Sequence, residues 1–185
     1  SGSLLLNGRD IREMTQRELR KHISYVPQKA WLFSGTIADN LRCGNSLASE
    51  EEMEHALTVA QSRFVYDLPE GLFSSVSQGG TNFSGGQKQR LSIARALMKK
   101  AELYIFDDSF SALDFKTDAA LAEETKDAAV LIIAQRIGTI RNADQIIVLE
   151  EGRIVGTGCH DDLMKTCPVY QDIAESQMKG DVVHE

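Results

Sequence analysis

A serine and two glycines stand where the most regular helical pattern of this sequence begins. Ser84 occupies the expected N-cap and Gln87 follows three positions later, which is the spacing of a capping box. Gly85 and Gly86 leave the N–H groups of the first turn unobstructed, and the helix dipole adds partial positive charge there. The four residues are consistent with a phosphate site, or with a well-capped helix that binds nothing.

Two adjacent carboxylates, Asp107 and Asp108, end a short apolar run over residues 103–106. Ligands of α/β proteins bind at this carboxyl edge of the sheet. One carboxylate can hold Mg²⁺, directly or through water, and the next can orient or deprotonate an attacking water. The alternative is a solvated strand end, since aspartate is common in turns.

Two glutamines also follow apolar runs. Gln28 comes after Pro27, and Gln135 follows the run over residues 130–133. A neutral amide at a strand end can hydrogen-bond a phosphate or a water. By themselves, both positions are equally compatible with ordinary loop residues.

The elements that must position these residues alternate between helices and strands. An apolar stripe predicts a helix over residues 87–100, and the continuously apolar runs at 103–106 and 130–133 predict strands buried on both faces. A helix over residues 117–126 joins the two strands in a right-handed crossover. Further patterns predict an Asn7-Gly8 hairpin, a second hairpin at residues 150–152, and helices at 36–41 and 49–64. The tail is predicted to be helical from Asp161, with Pro168 opening a second helix there. The pattern is α/β.

Composition excludes several classes of protein. The chain is 42% apolar and 25% charged, which excludes a disordered protein, and its net charge of −7 argues against nucleic acid as a partner. The longest apolar run has seven residues, so we expect no membrane span and no signal peptide. Three cysteines without a C-x-x-C pair indicate reduced thiols in the cytosol, and the scattered histidines indicate no zinc site.

The order of these strings resembles the nucleotide-binding domain of ATP-binding cassette (ABC) proteins. The matching strings are Y-V-P-Q at 25–28, N-F-S-G-G-Q-K-Q-R at 82–90, I-F-D-D at 105–108, S-A-L-D at 111–114 and I-I-A-Q-R at 132–136. The strings at 32–37 and 68–71 resemble the exporter branch, whose ATPase domain follows six membrane helices. Trp31 and Phe33 either pack on a helix of those membrane domains or are ordinary core residues.

The resemblance implies a P-loop NTPase-type, RecA-like core with a predominantly parallel sheet, an inserted helical subdomain and an N-terminal β piece. The core then comprises residues 1–34 and 99–160, the helical subdomain residues 36–98, and the C-terminal helices residues 161–185. No G-x-x-x-x-G-K-[ST] string occurs in the 185 residues. We therefore expect a domain truncated before the P-loop helix and inactive as a fragment.

The resemblance also implies a role for each candidate residue. In the chain's own site, Asp107 and Gln28 bind Mg²⁺, Asp108 takes the base position and Gln135 senses the γ-phosphate. Gln28 also couples to the membrane domains. Across a head-to-tail dimer, Asp114 contacts the opposite domain, whose ATP is held by Ser84, Gly85, Gly86 and Gln87.

Two of these positions depart from the family pattern. Asp108 stands where a catalytic glutamate is usual and is shorter by one methylene, roughly 1.5 Å of reach. Gln135 stands where a histidine is usual and carries no charge at any working pH. Together they predict the degenerate half of a heterodimeric exporter.

The predicted function is ATP binding and hydrolysis, with Mg²⁺, coupled to substrate transport at the cytoplasmic face of the plasma membrane. The expected partners are a second nucleotide-binding domain from a different subunit and the transmembrane domains. Two alternatives stay open: a soluble ABC ATPase acting in repair or translation, and a non-catalytic module that senses ATP. Six apolar spans upstream of this sequence would distinguish an exporter from the soluble class.

Overall fold

The computed structural model describes residues 2–109 and 115–181. Contacts within the chain divide it into two compact units, residues 1–133 and 134–185, which are described separately. Asp114, predicted to contact a partner domain, lies outside the described residues.

The first unit contains seven short strands and five α-helices among its described residues. The strands are β1 (Leu5–Leu6), β2 (Arg9–Asp10), β3 (Ile23–Val26), β4 (Gly35–Thr36), β5 (Ser75–Val76), β6 (Leu103–Asp107) and β7 (Ala129–Ile133). The helices are α1 (Gln16–His22), α2 (Ile37–Arg42), α3 (Glu50–Val59), α4 (Gly85–Leu97) and α5 (Phe115–Glu124). Short 3₁₀-helices occur at Ile11–Glu13, Arg63–Asp67, Gly71–Phe73 and Gln78–Gly80.

Strands β3, β6 and β7 form a parallel sheet with β6 in the middle. Val26 pairs with Phe106, and Asp107 pairs with Ile133, so the strands end at a common edge. The other strands pair antiparallel, β1 with β2 and β4 with β5. The predicted α/β class with a parallel sheet is confirmed.

Helix α4 packs on β3, and α2 and α3 pack on α4, so that these helices and the sheet share the main core. Tyr104 and Phe106 from β6 and Val26 from β3 are buried there. The alternating residues of β6 are only half-buried, and most of β7 is exposed. The prediction that both runs are buried on both faces is therefore wrong, because the core holds only alternate residues of β6 and β7 lies at the edge of the sheet that the described strands form.

The local sequence predicts the first hairpin turn correctly and the end of one helix wrongly. Asn7 and Gly8 both adopt positive φ (51° and 77°), as the predicted two-residue hairpin requires. The helix predicted over residues 49–64 ends at Val59 instead. Gln61 adopts a φ of 50°, which interrupts the helix before the 3₁₀ turn at Arg63–Asp67.

A capping box begins α2. The N–H and the hydroxyl of Thr36 donate to Asp39 Oδ2 at 2.9 and 2.8 Å, and the N–H of Asp39 donates to Thr36 Oγ1 at 3.0 Å. The hydrogen bonds from Thr36 lower the pKa of the Asp39 carboxyl below its usual range. The ionised form of the Asp39 carboxyl is therefore more strongly favoured in the folded state than in the unfolded chain.

We expect Asp39 to contribute to the acid sensitivity of the first unit. Since its folded pKa is depressed, its stabilising contribution is complete above the ordinary aspartate pKa, about 4, and is lost as pH falls through the lower folded value. Thermal unfolding between about pH 3 and pH 6 should therefore show a flatter acid limb in Asp39→Asn. The exposed Asp144 provides a control, Asp144→Asn, and equal acid limbs for wild type and Asp39→Asn would contradict the prediction.

The second unit contains α6 (Ile137–Ile140), the antiparallel hairpin of β8 (Ile146–Glu150) and β9 (Arg153–Gly158), α7 (His160–Thr166) and α8 (Pro168–Asp181). The predicted hairpin and the helix opened by Pro168 are both confirmed. A small core holds the unit together and comprises Ile146, Val148, Leu163, Cys167 and Tyr170. All three cysteines of the chain are free thiols.

Candidate functional site

The start of α4 forms the first candidate site. Ser84 Oγ accepts from the N–H of Gln87 at 3.2 Å, and Gln87 Oε1 accepts from the N–H of Ser84 at 2.9 Å, which completes the capping box. Ser84 and Gly85 are exposed, and a Cβ at Gly85 would meet no atom outside the first turn within 4 Å. The first turn is therefore accessible to an anion, with Gly86 and Gln87 half-buried behind it.

The edge of the parallel sheet forms the second candidate site. Gln28 Nε2 donates to Asp108 Oδ2 at 3.2 Å, although 80 residues separate the two in sequence. The backbone N–H of Asp108 donates to the carbonyl of Ile133 at 2.7 Å, which fixes the residue against the end of β7. Asp107, the last residue of β6, lies next to this pair. The structure thus brings together Gln28, Asp107 and Asp108.

A tyrosine side chain also contacts a carboxylate at this edge of the parallel sheet. The hydroxyl of Tyr25 donates to Asp107 Oδ2 at 2.9 Å, and this hydrogen bond raises the pKa of Tyr25 above its usual value. Sequence reasoning missed the contact because it depends on strand register. Tyr25 pairs with Ile105, and Asp107 is two residues further along β6 on the same face.

The donor set at this edge fits Mg²⁺. Carboxylate and amide oxygens are the ligands that Mg²⁺ takes, and it commonly uses one or two carboxylates with phosphate and water completing the shell. Asp107, Asp108 and Gln28 supply such oxygens. In the described part of the chain, no group of three or more His, Cys, Asp or Glu side chains is placed to hold a metal ion.

Asp108 has an unusual backbone conformation. Its φ is 42°, in the left-handed region that few residues other than glycine enter. Aspartate and asparagine enter this region more readily than longer side chains such as glutamate. The local backbone is therefore better suited to the aspartate that is present than to a glutamate.

Gln135, predicted to sense the γ-phosphate, lies in the second unit. Its side chain is exposed, and its carbonyl accepts from Gln177 Nε2 at 2.7 Å. Gln177 Oε1 in turn accepts from the N–H of Ile137 at 2.9 Å. These two bonds hold the segment after β7 against α8, and the role of Gln135 stays a prediction.

Two aromatic side chains follow Gln28 and are about half-exposed, Trp31 and Phe33. The guanidinium of Arg95 lies 5.4 Å from the centre of the Phe33 ring, and the Trp31 ring lies 3.1 Å from the position of a Cβ at Gly79. Burial lowers the pKa of Arg95. The pair therefore presents apolar surface beside a partly buried positive charge, and is not ordinary core.

Comparison with known proteins identifies the class. Residues 1–111 match the family model described as ABC transporter. An uncharacterized ABC transporter ATP-binding protein of Mycobacterium tuberculosis is 47% identical over 184 residues, covering 96% of this chain and 31% of that protein. The ATP-dependent lipid A-core flippase of Francisella tularensis is 40% identical over 184 residues, covering 96% of this chain and 30% of the flippase.

A solved structure supports the same conclusion. The structure of a bacterial Atm1-family ABC exporter with ATP bound superposes with a TM-score of 0.87 at 35% identity, covering 96% of this chain and 32% of that one. The fold is thus the P-loop NTPase α/β fold of an ABC exporter nucleotide-binding domain. The chain belongs to the ABC transporter family and spans about a third of the length of the curated relatives it matches.

Among the described residues, no helix combines the length and the apolar character needed to cross a bilayer.

Proposed function

We propose that this chain is the ATP-binding and ATP-hydrolysing domain of an ABC exporter subunit, and that it couples ATP to substrate transport. The observation that carries the proposal is the 3.2 Å hydrogen bond between Gln28 and Asp108, beside Asp107 at the sheet edge. This hydrogen bond holds an amide and two carboxylates together at the carboxyl edge of the sheet, where ligands such as nucleoside triphosphates bind in α/β proteins.

In this proposal, Asp107 and Gln28 hold Mg²⁺, which when bound neutralises phosphate charge. Asp108 accepts a hydrogen bond from Gln28 and offers its second carboxylate oxygen to an attacking water. Gln28 thereby orients the carboxylate and responds to whether Mg²⁺ and ATP are present. Gln135 is proposed as the donor to the γ-phosphate.

A second proposal concerns the dimer. Residues Ser84, Gly85, Gly86 and Gln87 hold the ATP of a second nucleotide-binding domain, and Asp114 contacts that domain. The exposed first turn of α4 supports this, because its N–H groups and dipole are available to an anion from another molecule. The signature of this chain would then serve its partner's site.

We further propose that the chain's own site is degenerate and that its partner is a different subunit. The shorter carboxylate of Asp108 and the uncharged Gln135 both weaken support for hydrolysis. The left-handed φ of Asp108 suits the aspartate at this position better than a glutamate. ATP would bind in the intact protein and be hydrolysed slowly.

The membrane-embedded part of the transporter is the other proposed partner. The half-exposed Trp31 and Phe33, directly after Gln28, support contact with transmembrane domains on the cytoplasmic face of the plasma membrane. The net charge of −7 gives no support to a nucleic-acid partner.

We also propose that the chain divides into a core (1–34 and 99–160), a helical subdomain (36–98) and C-terminal helices (161–185).

Calorimetry and phosphate-release assays on the full-length protein with its partner subunit test this function. We expect micromolar affinity for Mg·ATP and hydrolysis that needs both subunits. The 185-residue chain alone should bind weakly or not at all, since it has no G-x-x-x-x-G-K-[ST] string to surround the phosphates.

Three results would contradict parts of the proposal. Micromolar affinity of the 185-residue chain alone would refute the weak binding expected of it. An intact pair that binds no nucleotide would refute the proposed function. Nucleotide binding without any phosphate release would instead indicate an ATP-sensing module.

A further inference from the structure

A buried glutamine on α4 contacts the backbone directly before Gln28. Gln89 is only 7% exposed, and its Nε2 donates to the carbonyl of Pro27 at 3.3 Å. A buried amide without a partner is costly, so this contact has a physical reason to persist. The contact joins the helix that begins at Ser84 to the turn that follows β3.

Other side chains attach α4 to the same segment. Ser24 Oγ donates to the carbonyl of Ala96 at 2.9 Å, and Arg95 donates to the carbonyl of Trp31 at 3.0 Å. Just beyond the helix, Lys99 Nζ donates to the carbonyl of Ile23 at 2.7 Å. Helix α4 is thus hydrogen-bonded to the chain both before and after Pro27 and Gln28.

We propose that Gln89 is a positioning residue that couples the signature end of α4 to Gln28 in the chain's own site. The inference rests on the proposed function, in which Ser84 and Gly85 contact the partner's ATP. An anion that shifts the first turn of α4 moves Gln89 with it, because both belong to one rigid helix. Gln89 then reorients the Pro27–Gln28 peptide group.

The connection from the first turn of α4 to Asp108 is short. Gln89 lies five residues after Ser84, which is about 7.5 Å along the helix axis. The carbonyl that it holds belongs to the peptide bond leading into Gln28, whose side chain reaches Asp108 at 3.2 Å. Two side-chain hydrogen bonds, from Gln89 to the Pro27 carbonyl and from Gln28 to Asp108, therefore connect the helix bearing the signature to the carboxylate in the base position.

Hydrogen exchange measured by mass spectrometry on the full-length protein with its partner tests the coupling. Every sample carries Asp107→Asn, which weakens the chain's own Mg·ATP site and leaves the signature as the main route for a response. In the chain with native Gln89, we expect Mg·ATP to slow exchange at residues 84–88 and also at residues 28–31. In Gln89→Met, which keeps the volume and removes the donor, residues 84–88 should still respond.

In the nucleotide-bound state of Gln89→Met, residues 28–31 should exchange about fivefold faster than with native Gln89, as expected for loss of one ordinary hydrogen bond. Ser24→Ala is the matched control, since it removes a buried hydrogen bond between the same two elements away from the turn. It should leave the response at residues 28–31 intact.

Equal responses at residues 28–31 in Gln89→Met and native Gln89 would overturn the inference while leaving the proposed function standing. Loss of the response in Ser24→Ala as well would also overturn it, because general destabilisation would then explain the result. If residues 84–88 fail to respond to Mg·ATP with native Gln89, the proposed role of the signature fails, and the inference fails with it.

Discussion

Replacing Gly85 with aspartate should reduce ATP hydrolysis by the intact transporter about 100-fold or more while leaving the fold intact. The new side chain has room, since a Cβ at Gly85 would meet no atom outside the first turn within 4 Å. A carboxylate in the first turn of a helix is also favourable for the helix dipole. The variant should therefore unfold at the same temperature as wild type, or slightly higher.

The expected loss comes from repulsion between the new carboxylate and the triphosphate of the partner's ATP. Two like charges about 4 Å apart near a protein surface repel by about 4 kcal/mol, and each 1.4 kcal/mol is a factor of ten. Even a partly screened interaction of this kind reduces turnover by about two orders of magnitude. Hydrolysis is measured as phosphate release at saturating Mg·ATP.

Gly85→Ala is the matched control, because it adds a Cβ without a charge. A small effect of alanine and a large effect of aspartate would indicate electrostatic contact with nucleotide. If aspartate leaves hydrolysis unchanged, the first turn of α4 does not lie beside the partner's phosphates, and the proposed dimer arrangement is wrong.

Restoring the usual pair, Asp108→Glu with Gln135→His, should raise hydrolysis at this chain's own site by about 10- to 100-fold. The longer carboxylate extends roughly 1.5 Å further toward an attacking water, and a misplacement of about 1 Å can cost on the order of 100-fold in rate. Histidine adds a donor that can become cationic near neutral pH.

The left-handed backbone at Asp108 sets a limit on this gain. A glutamate at a φ of 42° costs up to about 1 kcal/mol more than an aspartate, so Asp108→Glu alone should slightly lower stability. The measurement uses a partner subunit whose own catalytic carboxylate has been replaced, so that phosphate release reports on one site. Asp108→Asn serves as the control that removes residual activity.

Unchanged turnover in the double variant would argue against a degenerate site, particularly if both sites of the unmodified pair already hydrolyse ATP equally. A gain with Gln135→His alone would assign the defect to γ-phosphate sensing. A gain that needs Asp108→Glu would assign it to the base position.

Features set by neighbouring residues were predictable from the sequence. The Asn7-Gly8 turn, the capping box of Ser84 and Gln87, and the helix opened by Pro168 each depend on a few consecutive residues. In these places the backbone conformation follows from side-chain sterics and local hydrogen bonds. The end of α3 was not predictable in this way, because Gln61 gives no strong stop signal in sequence.

Contacts between distant segments were not predictable. The hydrogen bond from Tyr25 to Asp107 depends on the register of β3 against β6, which shifts every side chain if it slips by one residue. The contact of Gln89 with Pro27 joins residues 62 apart and depends on how α4 lies on β3. The exposure of β7 depends on its place at the edge of the described sheet, which local sequence does not specify.

The order of the strings along the chain by itself determined the family and the types of side chain available at the site: an amide, two carboxylates and a glycine-fronted helix. Only the tertiary structure decided that Gln28 donates to Asp108, that Tyr25 contacts Asp107 and that Gln89 joins α4 to the turn between them. The reason is physical. Motifs reflect the chemistry of short segments, whereas distances between segments are set by sheet register and helix packing.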